Sequence, residues 1–224
     1  LGLLPLPEAM QNFGITTVFF AIAASALTSL FIKTTIPQRF LGALAKWAKG
    51  SRGKVIFGFM VTAAFFSTFM SDILLFIGIT RPLLAEMGYK PGESRFGKAL
   101  MLGIPGAAMI GGMATPVGSV INILAIGIVE STMGVTISFL EWCVVGIPCT
   151  IIVLVVYYLF LMLVCKPEPL TEEKLSLITA GTKVSGKLDV YEKKVIIVTV
   201  VLFVFWVAGS FVPALNTTLV AIVA

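Results

Sequence analysis

The chain contains no histidine, and charge is scarce: only 12% of its 224 residues are Asp, Glu, Lys or Arg. The missing imidazole removes the commonest general base and metal ligand at neutral pH. Cys143, Cys149 and Cys165 lie in or at the end of one apolar stretch without CxxC spacing. They read as small buried hydrophobes, not as zinc ligands or a disulfide framework. With neither a metal cluster nor a nucleophile–base pair, no reaction class can be assembled; the chain is expected not to be an enzyme and to use no cofactor. Leu1 opens the chain without a methionine or a basic n-region, and Ala224 closes it inside an apolar stretch. The expectation is a fragment of a longer protein with no signal peptide.

What the chain has instead is apolar length. It is 58% hydrophobic with a mean hydropathy of +1.05, and several runs approach or exceed the roughly 20 residues that span a bilayer. This composition is that of an integral, multi-pass protein of the cell membrane. The net charge of +5 falls in short loops between hydrophobic segments, where basic residues set topology, so no nucleic-acid partner is implied.

Charge placement then orders the chain. Residues 1–7 read as the end of a preceding span, and residues 15–32 as a full apolar segment closed by Lys33. Residues 34–54 carry Arg39, Lys46, Lys49, Arg52 and Lys54 with no acid, while Phe40, Leu41, Leu44, Ala45 and Trp47 recur at helical spacing. They form either an amphipathic helix in the membrane interface or a basic loop. Residues 88–98 are again basic, with Lys90, Arg95 and Lys98 against Glu93. Positive-inside bias places both loops in the cytoplasm, which a single crossing by residues 55–80 cannot do. A re-entrant hairpin can, with arms at residues 55–70 and 73–87 and Ser71-Asp72 at its tip. The remaining segments alternate sides: 99–129 outward to Glu130 and Glu141, 142–165 back to the lysine-rich cytoplasmic loop 166–194, and 195–207 outward to the chargeless stretch 209–216.

Two polar knots interrupt the apolar runs. The first is Ser67-Thr68-Phe69-Met70-Ser71-Asp72-Ile73, where Asp72 is the one acid between residues 55 and 80. A carboxylate at bilayer depth costs at least about 2.5–3.5 kcal/mol, so it must face protein, water or an ion. It is either a functional group or a cap on the helix that starts near Ile73. Arg81, before Pro82, is placed to snorkel to the cytoplasmic interface or to act as a countercharge in a substrate path.

The second knot is Gly111-Gly112-Met113-Ala114-Thr115-Pro116-Val117-Gly118-Ser119-Val120-Ile121-Asn122. Pro116 removes a backbone donor and the glycines weaken helical continuity, so a straight helix is not expected. An unwound span exposes carbonyls for a cation, and a half-helix N-terminus favours an anion, although a Gly/Pro interruption also arises as a packing kink. The fold class expected is all-α: a polytopic membrane protein with a re-entrant helical hairpin and a broken transmembrane helix.

With both knots in place, the chain resembles the divalent anion/sodium symporter family, carriers of dicarboxylates, tricarboxylates and sulfate. That family sets a Ser-Asn-Thr motif at the hairpin tip, then Gly-Gly-x-x-Thr and Gly-Thr-x-x-Asn in a broken helix. The counterparts here are Ser71-Asp72-Ile73, Gly111-Gly112-Met113-Ala114-Thr115 and Gly118-Ser119-Val120-Ile121-Asn122. The resemblance covers the first of two inverted repeats. It implies scaffold-type helices over residues 1–54, a transport-type hairpin and broken helix over 55–134, and further spans over 135–224 leading into the second repeat. It implies sodium ligands from Ser67, the Met70 carbonyl, Ser71, Asp72 and the Gly118 carbonyl, with Ser71, Asp72, Ile73, Ser119 and Asn122 at or beside the substrate. It also implies an elevator-type mechanism and a homodimer. Oxygen-only ligation suits a hard cation.

The chain departs from the motif where Asp72 replaces asparagine and Ile73 replaces threonine. An acid tightens a cation site and opposes a dianion, and losing a hydroxyl removes a hydrogen bond to substrate. Asp72 is either a stronger sodium ligand or a titrating group in proton coupling. The expected function is sodium-coupled symport of a small organic anion such as a dicarboxylate. Alternatives are a proton-coupled or inorganic-oxyanion carrier, a cation/proton antiporter, or a non-transporting membrane scaffold.

Overall fold

The computed structural model describes residues 22, 25–26, 28–48, 51–70, 74–90, 92–181 and 186–211. The segments at 1–7 and 212–216, and most of the span at 15–32, lie outside them. The described residues are helical, with no strand among them. After a helical piece at residues 28–32 come α1 (Ile36–Ala48), α2 (Arg52–Ser67), α3 (Leu74–Glu86) and α4 (Arg95–Gly112). A 3-10 turn (Pro116–Gly118) leads to α5 (Val120–Met133), followed by α6 (Phe139–Cys165), α7 (Glu172–Gly181) and α8 (Val190–Gly209).

The ends of these helices follow from local chemistry. Ser94 accepts the Gly97 amide at 2.9 Å and starts α4; Ser138 with Glu141, and Asp189 with Glu192, form reciprocal capping boxes on α6 and α8. α5 stops at Gly134, whose φ of 66° a side chain would resist.

Small residues then let α2, α4 and α6 close into one body. Met60 meets Gly103, Ala64 meets Gly111, and Ser67 meets Gly112, so α2 and α4 run parallel. α6 runs opposite to both: Gly103 sits against Leu161, Gly106 against the Tyr157 ring, and Thr150 donates to the Ile110 carbonyl at 3.3 Å. Small residues at such contacts let the helix backbones approach closely. α3 returns beside α4, with Leu84 near Gly97. Gly53, which opens α2 against Tyr158 and Met162, therefore lies at the same end of the body as Leu84. The chain enters and leaves this helical hairpin at one end.

Glu168, just past α6, secures that end. It accepts from Ser94 Oγ at 2.6 Å and from the Phe96 amide at 3.0 Å, capping α4 from across the chain. Partial desolvation pushes its carboxyl up, but the Ser94 hydroxyl and the nearby backbone amides outweigh this and hold it below the ordinary value of 4.5. A carboxyl lowered on folding stabilises the fold above its unfolded value and loses that contribution as pH falls through the folded one. Glu168→Gln should therefore melt below the parent at neutral pH, with the gap closing from about pH 4.5 downward. Parallel thermal melts across pH check this, and a pH-independent gap would refute it.

Two elements differ from expectation. Segment 166–194 contains a helix, α7, packed against α1 and α3. Its short length and charged first turn, Glu172 and Glu173, hide it among loop residues. Helix α1 forms over the amphipathic stretch, yet it lies lengthwise and antiparallel on α2: Phe40 stacks on Phe65 at 5.3 Å, Leu44 meets Gly58, and Lys54 stands over Trp47 at 5.5 Å. Its axis is thereby tied to that of α2, so α1 can lie flat in an interface only if α2 does too.

Among the described residues, α6 alone is long and apolar enough to cross a membrane. Its Val144, Val145, Ile152, Val156, Leu163 and Val164 are all exposed on the body. A continuous apolar surface of this extent belongs against lipid or protein.

Candidate functional site

The two polar knots meet where α2 and α4 end. α2 stops because Thr68, Phe69 and Met70 turn back onto it, their amides bonding to the Phe65 and Phe66 carbonyls. α4 stops at Gly112, and the break runs through Thr115, which caps the 3-10 turn with Pro116 at its first position. Thr115 bridges the knots: its hydroxyl donates to the Thr68 carbonyl and accepts the Gly118 amide at 3.1 Å.

Around this bridge, oxygens converge on two glycines. A Cβ on Gly118 would lie 2.6 Å from the Gly112 carbonyl oxygen and 2.9 Å from that of Ser67. A Cβ on Gly112 would lie 3.0 Å from the Gly118 carbonyl oxygen and 3.5 Å from Ser67 Oγ. The backbones at these two glycines therefore approach so closely that neither leaves room for a side chain, and the oxygens of Ser67, Gly112 and Gly118 are gathered at the junction. These donors are uncharged oxygens with no soft atom among them, the type that hard cations take.

Asn122 holds the break open. Its side-chain nitrogen donates to the Gly112 and Thr115 carbonyls, both at 2.8 Å, and the residue is buried. Both partners are acceptors, which fixes the orientation of the amide. With both N–H groups engaged, Asn122 has only Oδ1 left and offers an anion no donor. Ser119 caps α5 by accepting the Ile121 amide at 3.3 Å, and it is half-buried.

Of the residues nominated from sequence, the structure brings together Ser67 and Gly118, with Asn122 one layer behind. Met70 is buried and closes the turn after α2. Ser71, Asp72 and Ile73 lie outside the described residues. Gly112 and Thr115 belong to the cluster although only their motif, not their role, was evident; a Thr-Pro pair opening a turn was the available signal. Trp142 and Thr150 of α6 were not signalled at all. Trp142 donates to the Met113 carbonyl at 3.0 Å and Thr150 to that of Ile110, covering carbonyls beside the break.

Helix α6 also gauges the position of the break. Gly146 abuts the Met113 and Ala114 carbonyls. At 1.5 Å per residue it lies about 28 Å from the Cys165 end and about 10 Å from the Phe139 end of a helix about 40 Å long.

A family model described as "Citrate transporter" matches residues 1–224. Among curated proteins, the sodium-dependent dicarboxylate transporter SdcS of Staphylococcus saprophyticus is 28% identical over 227 residues, covering 91% of this chain and 42% of the relative. SdcS of Staphylococcus aureus is 26% identical over 224 residues, covering 94% of this chain and 43% of the relative. The chain thus spans less than half the length of these relatives.

Proposed function

Since the chain belongs to the citrate transporter family, a family of membrane carriers, we propose that it supplies the first half of a sodium-coupled symporter for a small organic anion such as a dicarboxylate. The observation that carries this reading is the gathering of oxygens from Ser67, Gly112 and Gly118 where the end of α2 meets the broken helix. In the proposed site, sodium is held by Ser67, the Met70 carbonyl, Ser71, Asp72 and the Gly118 carbonyl. Ser71, Asp72, Ile73, Ser119 and Asn122 border the substrate. The positive end of α5, capped by Ser119, favours the anion's carboxylate. Asn122, its N–H groups committed, acts by keeping the break in shape, so remaining donors come from the hairpin tip and the second half of the carrier.

The hairpin is re-entrant in this proposal. Its two ends share the side of the body where α6 finishes, and the basic residues near them, Lys46, Arg52 and Lys54 of 34–54, those of 88–98, and Lys166 of 166–194, give that side to the cytoplasm. The roughly 28 Å from there to the break keeps the oxygen cluster within a hydrocarbon core about 30 Å thick. Irregular backbone at that depth is tolerated where it is buried in protein or lines a watery cavity. Residues 55–134, with α6 along them, form the moving part of an elevator-type homodimer; residues 1–54 belong to the scaffold, with α1 as the link that leads from it onto α2. The second repeat completes the site.

The experiment is uptake of labelled succinate by proteoliposomes holding the complete protein, with and without an inward sodium gradient. Sodium-driven uptake supports the reading; its absence for succinate and for other small carboxylates overturns it. A second reading, proton coupling, rests on Asp72 standing where the resembled motif has asparagine. Steep pH dependence of sodium-free uptake that vanishes in Asp72→Asn would favour protons. Strictly sodium-dependent uptake that ignores pH would exclude them.

A further inference from the structure

Away from the oxygen cluster, Glu192 in the first turn of α8 gathers an unusual set of partners. It accepts from the Thr35 amide at 2.8 Å, from the Thr35 hydroxyl, and from the Asp189 amide at 3.0 Å. Arg39 Nη2 stands 3.7 Å from its second oxygen. Arg39 continues outward, donating from Nε to Thr35 Oγ1 at 3.0 Å, to the Gly186 carbonyl at 2.8 Å and to the Lys187 carbonyl at 3.3 Å. Tyr191 donates to the Leu30 carbonyl at 3.4 Å beside it. Glu192 is only 5% exposed, although 157 residues separate it from Thr35.

The place of this network in the chain gives it meaning. Thr35 marks the joint between helical residues 28–32 and α1, and Gly186 to Asp189 ends the connection from α7 to α8. The inner end of α1 leads through Ser51 into α2, and α7 follows α6 through Glu168, which grips the start of α4. The body of α2, α3, α4 and α6 is thus joined to the flanking helices by two connectors, besides the contact of Phe139 and Leu140 of α6 with Phe203, Trp206 and Ser210 near the end of α8, and one carboxylate binds the connectors' outer ends into a single joint.

We propose that Glu192 is a positioning residue: it fixes the outer ends of both connectors in one joint and so sets the pivot about which the hairpin-bearing body moves during transport. The inference rests on the carrier reading above. All of the partners of Glu192 are donors, so the joint requires a group that only accepts. A glutamine turns an NH2 against at least one of them. An aspartate keeps the charge but is one methylene short of Thr35.

The test compares the complete protein with Glu192→Gln and Thr35→Val in proteoliposomes, normalised to folded protein. Glu192→Gln is expected to lower maximal succinate uptake about fivefold or more while leaving KM within about twofold, because the binding site is untouched. Thr35→Val, which keeps the amide, is expected to show the same split at smaller size. A role confined to stability would lower the yield of folded protein without changing turnover per molecule, and would overturn the proposal. Hydrogen exchange gives a readout that needs no substrate: α1 and α7 should loosen together in Glu192→Gln while α2, α4 and α6 keep their protection. Loosening confined to the first turn of α8 would overturn the proposal. Absence of uptake in the parent would instead count against the carrier reading, leaving exchange to decide the joint.

Discussion

Gly111→Ala is expected to unseat the hairpin and abolish transport. The added Cβ would fall on the backbone of α2, on the carbonyl oxygen and Cα of Ala64, so no side-chain rotation can relieve it. The two helices must separate, and interiors packed to crystal-like density resist that. Overpacking typically costs about 1–3 kcal/mol, and a clash of backbone with backbone belongs at the top of that range or above it. The functional loss should exceed the stability loss, because Gly111 lies beside Gly112, whose carbonyl helps to form the oxygen cluster. Thermal melts in detergent and sodium-driven uptake check both effects. Ala64→Gly in the same chain should not rescue, since it removes only a Cβ and the obstructing atoms remain. Wild-type melting and uptake in Gly111→Ala would show that α2 and α4 are not in this close contact.

The same contact shows what sequence could and could not reveal. Glycines at 111, 112 and 118, with Pro116, announce a helix that is broken, because the reasons are local. The two helical arms were read from charge: basic loops on either side of an apolar run too short for two full crossings. α2 and α3 start and stop within three residues of the arms read from that pattern. What sequence left open is which surface each apolar stripe meets. The periodicity of α1 calls for an apolar partner, and lipid or α2 would satisfy it equally; only the stacking of Phe40 on Phe65 chooses. The Glu192 joint was invisible for a related reason. A glutamate three residues after Asp189 reads as a capping box, which it is. Nothing local announces that its carboxylate also holds Thr35 from the far end of the chain.

Asn122 makes the argument about polar groups sharpest. Sequence places it in the position of a substrate contact, whereas in the structure its amide hydrogens staple the two sides of the break. Asn122→Ala would leave the Gly112 and Thr115 carbonyls buried without that partner, at about 1–3 kcal/mol each. The expected result is a loss of several kcal/mol in stability and of nearly all sodium-driven uptake. Asn122→Asp should be worse at neutral pH, since an ionised carboxylate would face two carbonyl oxygens that it can only repel. Burial and those oxygens would penalise the ionised form of the new acid. That penalty shrinks as acidification protonates the group. Protonation would also restore one donor. Asn122→Asp should therefore regain stability on acidification while Asn122→Ala does not. Melts of the two variants between neutral and mildly acidic pH separate the cases. Equal, pH-independent losses would mean that the amide is not the staple, and Asn122 would return to the role of a substrate ligand.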